Sequence, residues 1–238
     1  MNVLRAAANL YKEQVRRIII VDLLFVLPLQ LAHMFASNYF YTDLQLKGAA
    51  FFGDLLNALL LLIAVSLAQI PFIYMAIRTI DGEVFTLKEV IGSFFKNMLP
   101  VYLFSLLYVF FIALGFFALV IPGLIVLILL YTFPYVIVIS KEKGWGVIKK
   151  SYVIGKTNFF RLLGVILAFG AMEGILGIIA LWVSLQITSS YLIVSLVQMG
   201  VNLVVLPLFT FVMTYKLVAW KAAQAPIETE LVMNSSGG

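Results

Sequence analysis

The chain contains no cysteine, so disulfides, thiolate metal sites and cysteine nucleophiles are excluded. It contains one histidine, His33, and any zinc site or Ser-His-Asp triad would have to be built around that residue alone. Charge is scarce as well. Only 11% of the 238 residues are Asp, Glu, Lys or Arg, while 63% are hydrophobic. A soluble domain is nearer half apolar and a quarter charged, and a single soluble core of this length could not hide so much apolar surface. The expected solvent for much of the chain is therefore lipid.

Several sequence patterns are also missing. There is no H-E-x-x-H, no G-x-S-x-G and no G-x-x-x-x-G-K-[ST], the signatures of zinc proteases, α/β-hydrolases and P-loop enzymes. No acidic cluster stands in a loop where Mg²⁺ and a phosphate could meet; Asp81 and Glu83 come nearest and read as a solvated turn. No enzyme activity, cofactor, metal or nucleic-acid partner is expected.

Six apolar stretches are long enough, at about 20 residues each, to cross a ~30 Å hydrocarbon layer as helices. They run roughly Ile18–Tyr39, Phe52–Ile77, Leu99–Val120, Gly123–Ile139, Leu162–Ile187 and Leu192–Ala219. The first follows a charged segment and is too long for the apolar part of a cleaved signal, so it reads as a retained anchor. Ile121-Pro122-Gly123 reads as a tight hairpin between the third and fourth stretches. The expected fold is an all-α polytopic membrane protein, with residues 1–220 as one transmembrane domain and 221–238 as a disordered cytoplasmic tail.

The placement of positive charge supports this count. With six crossings, all of the 16 lysines and arginines except Lys47 fall on the side that holds both termini. Short loops rich in Lys and Arg mark the cytoplasmic face. A bacterial plasma-membrane protein with both ends inside is expected. The net charge of +5 follows from topology, not from a nucleic-acid surface.

Three basic amphipathic segments precede pairs of spans: Val3–Arg17, Phe85–Asn97 and Trp145–Phe160. Such helices lie in the headgroup plane, and Arg16, Arg17, Lys149, Lys150, Lys156 and Arg161 are the membrane-surface basic residues. The second span of each pair carries a proline, at Pro71, Pro134 and Pro207, so the chain reads as a coarse threefold repeat.

Ionisable groups inside a span are functional candidates by default. Glu173 stands near mid-depth of the fifth span. A charge there costs about 3 kcal/mol on insertion scales, and the Leu, Ile, Val and Phe residues of the same span contribute about 4–8 kcal/mol in the other direction. The helix is thus expected to insert with Glu173 in it. Gly170, Gly174 and Gly177 share a face with Glu173, and small residues allow close helix approach, so this face should meet another helix.

Polar partners stand at similar depths. The sixth span aligns Tyr191, Ser195, Gln198 and Asn202; the first aligns Asp22, Gln30, His33 and Ser37; the second adds Asp54 and Asn57. A polar interior shared by the first, second, fifth and sixth spans is expected, with the third and fourth facing mostly lipid. The ligand or proton candidates are Glu173, Asn202, Gln198, Gln30 and His33. Each also has a bland role: Gln, Asn and Ser as interhelical hydrogen-bond glue worth ~0.6 kcal/mol, His33 as a packed interfacial ring, Asp22 as the partner of nearby cytoplasmic cations.

Ile121-Pro122-Gly123-Leu124, Thr132-Phe133-Pro134-Tyr135, Gly146-Val147-Ile148-Lys149-Lys150-Ser151 and Gly155-Lys156-Thr157-Asn158-Phe159-Phe160-Arg161 occur in this order. The region, from Leu114 to Phe169, resembles the bacterial membrane domain found fused to glycerophosphodiester phosphodiesterases and its stand-alone relatives of unknown function. The resemblance implies a multi-pass bacterial membrane protein. It implies no phosphodiesterase activity, because the catalytic domain is absent, and no catalytic residue carries over.

Two functions fit these observations. One is a non-enzymatic membrane protein whose partners are lipids, another membrane protein or a second copy of itself. The other is a small transporter in which Glu173 is the coupling carboxylate and Asn202 and Gln30 bind substrate. An intramembrane enzyme using Glu173 or His33 is the weakest of the readings.

Overall fold

The computed structural model describes residues 3–140 and 142–235; for residues 45 and 222–235 only the backbone is described. Lys141 and, of the tail expected to be disordered (221–238), residues 222–238 lie outside the residues described in full. Among the described residues every regular element is a helix. Six helical segments are long and apolar enough to cross a membrane, in agreement with an all-α polytopic fold.

The first span begins as α1 (Val3–Val21), passes through a π-helical turn at Asp22–Val26 and continues as α2 (Leu27–Leu46). No break separates the amphipathic segment from the span. Ala7 and Leu10 of α1 are buried, and Tyr11 meets the Phe211 ring edge-on at 6.4 Å. The second amphipathic segment is likewise continuous with its span in α5 (Leu87–Ala118). A capping box starts that helix: Glu89 N–H donates to Thr86 Oγ1 and Thr86 N–H donates to Glu89 Oε2. Each bond satisfies a donor that a helix N-terminus leaves unpaired. The third segment alone forms a separate helix, α8 (Trp145–Thr157). It is docked on the rest of the protein, since Val147 and Ser151 are buried and Gly155 stands close against the carbonyl of Leu129.

The second and fourth spans are each broken. In the second, α3 (Ala50–Ala68) ends at Gln69 and α4 (Ile70–Ile80) begins with Pro71 in its first turn. In the fourth, α6 (Val120–Leu130) ends at Tyr131-Thr132 and α7 (Phe133–Ser140) carries Pro134 in its first turn. A proline lacks an N–H and clashes with the preceding turn, so an apolar helix is interrupted just before it. The third proline of the repeat, Pro207, is buried inside an unbroken helix, α10 (Tyr191–Ser235). The sixth span lacks the interruption seen in the other two.

The hairpin between the third and fourth spans turns two residues earlier than Ile121-Pro122-Gly123. Leu119 is the single extended residue, and Pro122 lies in the first turn of α6, where its missing N–H removes no helical bond. The glycines serve packing. A Cβ on Gly115 would stand 2.7 Å from the Gly123 Cα, so only glycine at both positions lets the two helices meet at this depth. Tyr108 fastens the pair by donating to the Leu127 carbonyl at 2.8 Å.

Packing is uneven across the membrane. Ile70, Phe72, Ile73 and Met75 of α4 are fully buried against the half of α10 that holds Phe211 and Met213, and Tyr135 of α7 joins them. This dense core lies in the half of the molecule that carries the basic loops. In the other half α2, the start of α3 and the α9–α10 turn bury little besides Gly53, Ser184 and Val194. The spans therefore separate on the side opposite the basic loops.

Two expectations about lipid exposure are overturned. The fourth span is half buried, whereas α9 (Phe159–Ile187), the fifth, is only 11% buried over its most apolar stretch. The fourth span is drawn inward because its break places Phe133–Val138 under α4 and α8. The Gly170-Gly174-Gly177 face is also open: a Cβ at any of the three would meet nothing within 4 Å. Glycine permits close approach but does not compel it, and α9 leans mainly on α10, with smaller contacts to α6 and α8.

Candidate polar cavity

Where the spans separate they frame a wide-open cavity of about 610 Å³ on the side away from the basic loops. Its size lies within the range of about 300–1,000 Å³ usual for small-molecule sites. The first span contributes Gln30, His33, Ser37 and Asn38, the second Asp54 and Asn57, the fifth Glu173, and the sixth Tyr191, Ser195, Gln198 and Asn202. All five ligand or proton candidates read from the sequence thus line one cavity, and it is the one shared by the four expected spans. The walls hold two carboxylates, Asp54 and Glu173, and no Lys or Arg among the described lining residues.

Helical spacing explains the convergence. His33 and Ser37 stand one turn apart on α2, so both face α3: Ser37 Oγ donates to Asn57 Oδ1 at 2.7 Å, and His33 Nε2 lies 3.1 Å from Ser37 Oγ and 3.3 Å from the Asn57 carbonyl. This network pins the first two spans to each other near the cavity mouth. Asn38 Nδ2 donates to the Tyr191 hydroxyl at 3.5 Å, a long bond that bridges the first and sixth spans across the opening.

At the cavity floor Asn202 Nδ2 donates to Glu173 Oε1 at 2.7 Å. The pair joins the fifth and sixth spans at mid-depth. Asn202 Oδ1 and Gln30 Oε1 are buried and accept no hydrogen bond from the described residues. Such groups are costly in an apolar setting and call for a partner. Both residues line the cavity, but these two oxygens are buried in the packing beside it, so the acceptor the floor presents is the Glu173 carboxylate.

Below the floor a smaller chamber of about 160 Å³ shares Glu173 and Asn202 with the cavity. Its base is Tyr131, whose hydroxyl accepts a 2.8 Å hydrogen bond from Gln69 Nε2. Both residues stand at helix breaks. Sequence reasoning missed them: Gln69 and Tyr131 sit in apolar runs, and the available signal was a polar residue two or three positions before Pro71 and Pro134.

Asp22 does not meet the expected cations. It is buried in the π-helical turn, with Oδ1 unpaired. Arg17, one turn away, bonds Gln14 and lies over the Phe85 ring at 5.1 Å. The π turn widens the helix and carries the carboxyl inward, while the longer arginine stays at the surface. Of the surface basic residues, Arg16, Lys149, Lys156 and Arg161 are exposed, and Lys150 pairs with Glu142 at 3.2 Å.

No protein-family model, no curated protein and no solved structure matches this chain.

Proposed function

We propose that this chain is a non-enzymatic membrane protein that binds a small polar solute in the four-span cavity and carries it across the membrane. One observation carries the reading. A cavity with polar walls opens toward one side and ends at mid-depth on the Glu173–Asn202 pair. A carrier needs its site at that depth, reached from one side at a time. The breaks at Gln69 and Tyr131-Thr132 add support, because transporter sites are commonly framed by discontinuous helices whose freed backbone groups line a cavity. The charge distribution supports placing the basic side and both termini in the cytoplasm, in a bacterial plasma membrane. The resemblance of residues 114–169 to a bacterial membrane domain agrees with that location. The cavity would then face outward.

Native mass spectrometry of the chain extracted gently from its own membrane tests this, with Glu173→Gln as the comparison. A small solute retained by the wild type, lost from the variant and accumulated by proteoliposomes of the wild type alone is the expected result. A ligand-free species in both preparations would sink the carrier reading.

A second reading, lipid binding, is favoured by the open fifth span. Leu167, Ile175, Ile178 and Trp182 are all exposed on α9, and a retained phospholipid in the same spectra would support it.

A further inference from the structure

The chamber beneath Glu173 combines three properties. It is small, about 160 Å³, on the order of the 150 Å³ apolar cavity that admits benzene. It is aromatic: Tyr131, Phe169 and Phe209 line it. The Phe209 ring meets Phe169 at 5.1 Å and 61°, and Tyr131 at 6.0 Å and 67°, so the three rings form one edge-to-face cluster along the chamber. Its roof is a carboxylate. Asn202 engages only Oε1 of Glu173, and Oε2 accepts no hydrogen bond from the described residues.

We infer that the transported solute carries a compact alkylated ammonium group, seated in this chamber between Glu173 and the rings of Tyr131, Phe169 and Phe209. The inference rests on the carrier reading and names its substrate class. Aromatic faces attract cations through their quadrupole, most strongly when the cation is desolvated, and quaternary ammonium groups are recognised in this way. The carboxylate supplies the opposing charge. A bare metal ion suits the chamber poorly, since hard cations take about six oxygen ligands and the lining offers one carboxylate, one amide and one phenol. A neutral apolar guest would leave Glu173 Oε2 without a partner. The wider cavity has the matching sign, with Asp54 and Glu173 on its walls and no described Lys or Arg.

The test is calorimetric titration of the full chain in lipid nanodiscs with tetramethylammonium chloride, sodium chloride and tert-butanol, a neutral molecule of similar size. Tetramethylammonium is expected to bind, and the other two are not. Phe169→Leu keeps the apolar bulk and removes a ring; it should weaken binding about tenfold. Gly170→Leu is the second variant. Gly170 lines the chamber and stands on the open face of α9 with free space at its Cβ, so leucine adds bulk at the chamber's edge without a clash and should weaken binding while the helix stays folded. Binding of tert-butanol equal to that of tetramethylammonium, or wild-type affinity in both variants, overturns the ammonium assignment. The two failures separate in the mass spectra. A retained solute without a cationic group, lost in Glu173→Gln, defeats this inference and leaves the carrier standing. A ligand-free species in both preparations defeats both.

Discussion

Gln69 donates a 2.8 Å hydrogen bond to the hydroxyl of Tyr131, and each of the two residues stands where its own span breaks. The bond joins the interruption of the second span to that of the fourth. It also closes the base of the chamber under Glu173, where a carrier of this design would have to open for its ligand to leave.

Removing one side of that bond should be worse than removing both. Tyr131→Phe strands the buried amide of Gln69, and an unpaired buried donor costs about 1–3 kcal/mol. Gln69→Leu combined with Tyr131→Phe leaves no orphan and should recover much of the loss. Unfolding titrations in mixed micelles would show the pattern; additive losses in the double variant would mean that the bond is absent in solution.

The glycines divide into two classes. Gly155→Ala and Gly115→Ala bring a Cβ against backbone of the Leu129 and Gly123 regions, which cannot swing aside. Overpacking of that kind costs about 1–3 kcal/mol. Gly174→Ala meets nothing and should be neutral or gain up to about 1 kcal/mol, because alanine favours the helix. A thermal melt of each variant checks the order. Strong destabilisation by Gly174→Ala would show that the open face is packed against something in the membrane.

Asn202→Leu should leave the fold nearly intact and weaken solute retention. It deletes the donor that orients Glu173 Oε1, and hydrogen bonds to charged groups contribute about 1.5–3 kcal/mol. The expected readout is roughly a tenfold or greater loss of the co-purifying species in native mass spectra. Full retention would mean that Glu173 needs no orienting partner.

Because the chain has no cysteine, accessibility can be mapped without removing any native thiol. Ser195→Cys, on the cavity wall, should react with a membrane-impermeant thiol reagent added from outside intact cells. Ser151→Cys, on the buried face of α8, should not. Labelling of Ser195→Cys only after the membrane is permeabilised would reverse the proposed orientation.

The capping box offers a local control on the cytoplasmic side. Thr86→Ala removes the oxygen that accepts from Glu89 N–H and should cost about 0.5–2 kcal/mol of stability. Solute retention should be unchanged, since Thr86 is remote from the cavity residues in sequence and lines neither chamber. Melting and native mass spectra of one preparation give both values.

What the sequence determined alone was everything that follows from solvent and period. An apolar run in lipid has no choice but to pair its backbone groups internally, so the six spans were legible from length and hydropathy. Helical spacing set which residues share a face, and that was enough to bring Gln30, His33, Glu173, Gln198 and Asn202 to one interior. Tertiary structure decided what spacing cannot encode. Whether Gly174 is packed or open depends on what stands opposite it; the same glycine spacing suits either. The inward turn of Asp22 came from a π turn that no residue pattern announced. The burial of the fourth span followed from its break at Tyr131, which set Phe133–Val138 under α4 and α8. Above all, α1, α4, α7 and α10 pack densely on the basic side while the opposite ends of the spans bury little and stand apart. That separation turns a row of polar side chains into a cavity.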